Sequence, residues 1–163
     1  CQVNIFVLHK HPRTAARMQC DQHVVKMTLE SAQMLSTVIN ELGGQGPYKP
    51  THVNHPCSVW ARESLGNFLW LYDHGLSLAR EYTRRYKKVH KSQLAIEACL
   101  AALDTVPLYN LERTPHPLCM PDQYKCDDVT EAYRAFYIGE KASFAKWARH
   151  RPPFWWPQEV PSD

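Results

Sequence analysis

The sequence predicts a mainly α protein: a single compact helical domain with a long amphipathic first helix and long Pro-rich loops. Three observations carry this expectation. Apolar residues recur at helical spacing over long stretches without Pro or Gly, strand-like alternation is almost missing, and prolines gather between the periodic stretches. A length of 163 residues favours one domain over residues 1–163.

The elements follow in order. VNIFVL (3–8) is a short apolar run, either extended or simply buried; periodicity does not decide between the two. His11-Pro12 marks a break, and proline suits a first helical turn. From about Arg13 to Leu42, apolar or small residues fall at 16, 20, 24, 27, 31, 34, 35, 38 and 42, in steps of mostly three and four. That is one long amphipathic helix, ended by Gly43, Gly44 and Gly46. GPYKPTHVNHP (46–56) is a loop fixed by three prolines, and Pro56 opens a short helix to about Ser64. A second long helix runs from about Asn67 to Tyr86, with its apolar stripe at Leu69, Tyr72, Leu76, Ala79 and Thr83; another covers about 91–103. Segment 104–127 holds four prolines and no periodicity, so it is a long loop. Asp128 and Glu131 make a capping-box-like start for a last helix to about Arg149, before the tail RPPFWWP.

Composition narrows the class. No apolar run approaches the ~20 residues of a membrane span, and no cationic segment followed by an apolar one opens the chain. Six cysteines (1, 20, 57, 99, 119, 126) are too sparse for a disulfide scaffold, which points to reduced thiols and an intracellular location. Net charge is +3 and the pI about 8.5, only mildly basic. The distribution says more. REYTRRYKKVHK (80–91) holds six Lys/Arg against one Glu, interleaved with Tyr82, Tyr86 and His90. That mixture suits a phosphate backbone with splayed bases nearby, or a solvated helix end whose dipole favours cations.

A polar stripe lies on the first helix. His23, Lys26, Glu30, Gln33 and Thr37 are spaced 3, 4, 3 and 4, along one face and beside the apolar stripe. A carboxylate at such a boundary is partly desolvated, which raises its pKa, while a neighbouring lysine lowers it. Carboxylates of that kind suit acid–base or electrostatic work; an ordinary Lys26–Glu30 surface pair is the plainer alternative. The chain opens on Cys1, and a mature N-terminus there is expected, because an initiator Met before a small residue is normally removed.

These residues resemble the opening of the pyrimidine-dimer DNA glycosylases, the small phage-type UV-repair glycosylase/AP lyases. In that family a short N-terminal segment with Asn at its fourth mature residue leads into a long helix carrying Asp-Gln-His, with the catalytic Glu nine residues after the Asp. Here these are Asn4, Asp21-Gln22-His23 and Glu30, and PFWWP matches an aromatic-rich C-terminal end. The family has arginines where this chain has Gln2, Leu29 and Gln33, so the resemblance implies the chemistry more firmly than the lesion.

The resemblance implies a DNA glycosylase, with possible AP lyase activity, acting on a damaged or modified base flipped from the duplex. The α-amine of Cys1 is the nucleophile and Glu30 the essential carboxylate, with His23, Lys26 and Gln33 in support. Candidate nucleic-acid contacts are Arg13 and Arg17; Tyr48, Lys49, His52 and His55; Arg84, Arg85, Lys87, Lys88, His90 and Lys91; and Trp155 and Trp156. The expected partner is DNA, with no membrane, and the chain reads as a monomer. No metal or cofactor is expected, since H-x-x-H-x-C matches no strong structural zinc pattern. The alternatives are a non-catalytic nucleic-acid-binding module or a zinc-dependent enzyme using His52, His55 and Cys57, with His116, Cys119 and Cys126 as further thiol and imidazole donors.

Overall fold

The architecture follows from two long helices that bury most of their surface on each other and on everything else. It comes from a computed structural model, which describes residues 3–149 and 151–157. Six α-helices follow in order: α1 (Pro12–Met18), α2 (Asp21–Glu41), α3 (Pro56–Glu63), α4 (Leu65–Tyr86), α5 (Gln93–Ala101) and α6 (Val129–Glu140). Two short 3₁₀ turns, Ala102–Thr105 and Asp122–Tyr124, punctuate the loops. The mainly α expectation holds, with no strand among the described residues. No described helix is long and apolar enough to cross a membrane.

The central pair is α2 and α4, with α1, α3 and α5 packed around it. The backbones come close at Gly75, where an added Cβ would lie 2.9 Å from Ser31 Cβ. α2 is buried nearly all round in its second half, including Ser36 and Thr37, and Thr28 is buried in its first half. Those three hydroxyls donate to the carbonyls four residues back, Val24, Ala32 and Gln33, so they enter the core satisfied.

The expected single helix over 13–42 is in fact two helices. Gln19 and Cys20 are extended, at φ −74°, ψ 142° and φ −69°, ψ 164°. Long-range partners take over the backbone groups freed there. Cys20 N–H donates to Tyr137 Oη, and the Arg85 guanidinium donates to the carbonyls of Arg17 and Gln19. Local periodicity runs straight through this break because its cause lies on α4 and α6.

The stripe expected on α4 is rotated by one residue. Phe68, Leu71, Gly75 and Leu78 are buried, while of the expected stripe only Ala79 is buried and Leu69, Tyr72, Leu76 and Thr83 are half-exposed. The same inward side carries Asn67, His74, Glu81 and Arg85, polar residues that a hydrophobic pattern discounts. The last helix ends at Glu140 rather than near Arg149, and the chain returns irregularly across the α1–α2 break. There Lys146 C=O accepts from Asp21 N–H, and the Asp21 carboxylate accepts from Ala148 N–H.

Candidate active site

Residues 3–8 run buried through the core between α2, α3, α6 and the loop before Met120, and their course is set by Asn4. Asn4 Oδ1 accepts the N–H groups of Ile5 (2.8 Å) and Phe6 (3.1 Å), and its Nδ2 donates to Cys119 C=O (2.8 Å). This turn holds Phe6 in the left-handed region at φ 57°, a conformation costing a bulky residue roughly 1–2 kcal/mol. The strain places the Phe6 ring flat on His23, with centroids 4.3 Å apart, and against Phe136.

Glu30 lies beside this segment, projecting from α2 and only 7 % exposed. Neither carboxylate oxygen has a hydrogen-bond partner among the described residues. The Asn4 backbone N–H faces the carboxylate without closing a full hydrogen bond. Burial therefore dominates and pushes the carboxyl from its ordinary 4.5 up to about 7, with the Lys26 ammonium and the Asn4 N–H pulling the other way. A carboxyl poised there exchanges a proton readily at neutral pH. It is a buried charge that the fold tolerates rather than uses for stability.

Within electrostatic reach of Glu30 stand three side chains of types that can ligate a metal. Pro56 starts α3, His55 caps it by accepting Cys57 N–H at Nδ1 (3.1 Å), and Cys57 is fully buried on its first turn. Cys119 arrives from the proline-rich loop, held through its N–H by the Tyr133 hydroxyl and through its carbonyl by Asn4. The two sulfurs are 3.6 Å apart, and the ligand atoms of His55, Cys57 and Cys119 all lie within 4.8 Å of one another. A hydrogen bond from Cys57 draws the Cys119 thiol down to about 7. The same bond, with burial and the negative charge of Glu30, pushes Cys57 up.

The remaining expected site residues divide into those the fold gathers and those it uses elsewhere. Cys1 lies outside the described residues. His23 is buried, its Nδ1 2.7 Å from Tyr137 Oη, and burial drops its pKa to about 3. It is therefore neutral and carries no charge for a phosphate; its contacts with Phe6 and Tyr137 make it a packing and positioning group. Lys26 is exposed beside Glu30, and Gln33 lies with Tyr48 and Lys49 around a shallow recess of about 390 Å³. His55 is in the cluster, whereas His52 is exposed at φ 49° and outside it, so the alternative set His52, His55 and Cys57 is not brought together. Cys126 is exposed, and His116 is stacked on Trp60, 4.1 Å between centroids, away from the thiols.

The basic residues divide in the same way. Arg13, Arg17, Arg80 and Arg84 surround a surface cleft of about 260 Å³, and Lys87, Lys88 and Lys91 are exposed. Arg85 is not a surface cation. Its side chain is 0 % exposed, and it joins Glu81 (2.9 Å) and Asp21 (3.0 Å) in a buried ion-pair network. His90 contacts the Val25 carbonyl at 2.9 Å. Trp155 and Trp156 are half-buried against Tyr137, and Trp155 Nε1 donates to Met18 Sδ. In the tail the exposed aromatic is Phe154, 79 % exposed.

Sequence reasoning missed Phe6 and Tyr137, and it offered Cys119 only as one of several loop donors with no link to Cys57. Cys119 lies 62 residues from Cys57 in a loop without pattern, so no spacing rule links them. Phe6 was legible only as part of an apolar run.

The sequence profile of the pyrimidine dimer DNA glycosylases matches residues 3–94. That stretch contains Asn4, α1 through α4, Glu30, His55 and Cys57. Neither the curated proteins nor the solved structures provide a match. With more than half of its length matched, the chain belongs to the pyrimidine dimer DNA glycosylase family, a family of enzymes that act on DNA.

Proposed function

We propose that this protein excises a damaged or modified base from duplex DNA, with the α-amine of Cys1 as nucleophile and Glu30 as the assisting carboxylate. The observation that carries the reading is Glu30 itself: a buried carboxyl with no hydrogen-bond partner among the described residues, inside the region shared with the family and beside the first described residues. Asn4 N–H faces it, and the three residues before Asn4 span at most about 11 Å, so the amine at Cys1 is tethered within that distance of the Asn4 N–H.

The chemistry suits these groups. The neutral amine attacks the sugar C1′, the new N–C1′ bond replaces the glycosidic bond, and the base leaves with the bonding pair and takes up a proton. Loss of the amine's remaining proton and opening of the sugar ring give an imine, which permits β-elimination of the 3′ phosphate. An α-amine titrates near ~7.7–8.0, so a useful fraction is neutral at working pH. Glu30 as carboxylate stabilises positive charge developing at C1′, and with a pKa near 7 it also carries protons between the amine, the sugar and the base. Water-poor surroundings strengthen both effects.

DNA binding falls to the exposed cations. Arg13, Arg17 and Arg84 line one cleft, and Lys87, Lys88 and Lys91 extend the positive surface from the end of α4. Reaching C1′ requires the nucleotide to leave the stack, at a cost of roughly a few kcal/mol that a damaged base lowers. The test is borohydride trapping on an abasic duplex: a covalent protein–DNA adduct, lost on acetylation of the α-amine, supports the mechanism. Neither adduct nor strand nicking would remove it.

A further inference from the structure

We propose that His55, Cys57 and Cys119 bind one zinc ion, with a fourth coordination position open to the cleft beside Lys141. Two thiolates and an imidazole are a borderline-soft donor set that favours zinc over calcium or magnesium. The spacing fits. Tetrahedral zinc with Zn–S bonds of about 2.3 Å separates two sulfur ligands by about 3.8 Å, and the Cys57 and Cys119 sulfurs stand 3.6 Å apart. The largest separation in the cluster is within 4.8 Å, about 1 Å beyond the tetrahedral value and within reach of a side-chain rotation.

The cluster is assembled from three parts of the fold, each fixed independently. α3 presents His55 and Cys57, Asn4 and Tyr133 pin the Cys119 backbone, and the Ile5 backbone N–H faces the Cys57 sulfur. It is also accessible. His55 and Cys119 line a cleft of about 570 Å³ together with Met120, Phe136 and Lys141. Three protein ligands among the described residues, with a position facing the cleft, are the arrangement of a zinc that meets water or an anionic oxygen, rather than of a closed structural site. Lys141, its ammonium over the Phe136 ring at 4.8 Å, places a positive charge at the edge of that opening. Metal binding through either ring nitrogen ends the α3 cap bond: Nδ1 is taken directly, or the ring proton moves from Nε2 to Nδ1 and leaves Nε2 for the metal. That loss is small beside two zinc–thiolate bonds.

The site does not depend on the glycosylase reading, and its test uses no DNA. The full chain, reduced and stripped with a chelator, is titrated with Co²⁺ as a spectroscopic probe and then with Zn²⁺ in competition. The expected result is one Co²⁺ per chain with thiolate-to-cobalt charge-transfer bands and the intense visible bands of a tetrahedral site. Zn²⁺ displaces the Co²⁺ and protects two thiols from alkylation. Cys119→Ser, at a half-buried loop position where the fold tolerates change, weakens binding more than about 100-fold. Cys126→Ser, at an exposed thiol outside the cluster, binds like the parent. The proposal is overturned if the reduced protein binds no stoichiometric metal, or if Cys119→Ser binds as tightly as the parent with its helical signal intact.

Discussion

Replacing Glu30 by Gln should make this protein more stable at alkaline pH and change it little in acid. The reasoning begins with a carboxyl that is 7 % exposed and has no hydrogen-bond partner on either oxygen among the described residues. Its pKa is raised from 4.5 to about 7 in the folded state, chiefly by burial. A group with a raised folded pKa contributes stability that is fully present below its unfolded value and lost as pH rises through the folded value. The window is therefore from about 4.5 to above 7, and the loss is at most about 3 kcal/mol at 1.36 kcal/mol per pKa unit. Glutamine is neutral throughout and shows no such loss. For a chain of this size the difference corresponds to a Tm about 6–12 °C higher for the variant at high pH. Urea denaturation of parent and variant at matched pH values from acid to alkaline reads it, and subtracting the two curves removes every other titrating group. A stability difference that does not grow with pH would show that Glu30 carries a satisfied charge, and the argument from its isolation would fail.

Other perturbations probe the frame around the site. Arg85→Met leaves Glu81 and Asp21 without their buried cation and should destabilise the protein by about 3 kcal/mol in chemical denaturation; a surface DNA contact would instead cost affinity and leave stability intact. Tyr137→Phe removes the acceptor for Cys20 N–H and the partner of His23 Nδ1, and should cost about 1–3 kcal/mol. The His23 ring resonances should show no titration between about pH 5 and pH 8 by NMR, because burial holds the imidazole neutral down to about 3.

Much of the fold is written locally. Pro12, Pro56 and the Asp128 cap mark helix starts, and α3, α4 and α5 are legible with small errors at their ends. What sequence reading gets wrong has long-range causes. The break at Gln19–Cys20 is stabilised by Arg85 and Tyr137, 66 and 117 residues away. The register of α4 shifts because its inward face includes His74, Glu81 and Arg85, which hydrophobicity alone assigns to solvent. The site behaves the same way. Glu30 was legible from its place at the edge of an apolar stripe, and Asn4 only through the family resemblance. Cys119 joins them only through tertiary hydrogen bonds to Asn4 and Tyr133. Charge counting also misassigned Arg85, since a guanidinium in a basic run looks like its neighbours until its carboxylate partners are placed.

The central claim is that Glu30 serves chemistry rather than folding or DNA binding. The most direct measurement is single-turnover base release from a duplex carrying a pyrimidine dimer, made on the parent and on Glu30→Gln, with duplex affinity measured alongside. The expected result is affinity unchanged within about twofold and base release slowed by at least about 100-fold, the scale of a lost acid–base group. Base release by Glu30→Gln at the parent rate would contradict it.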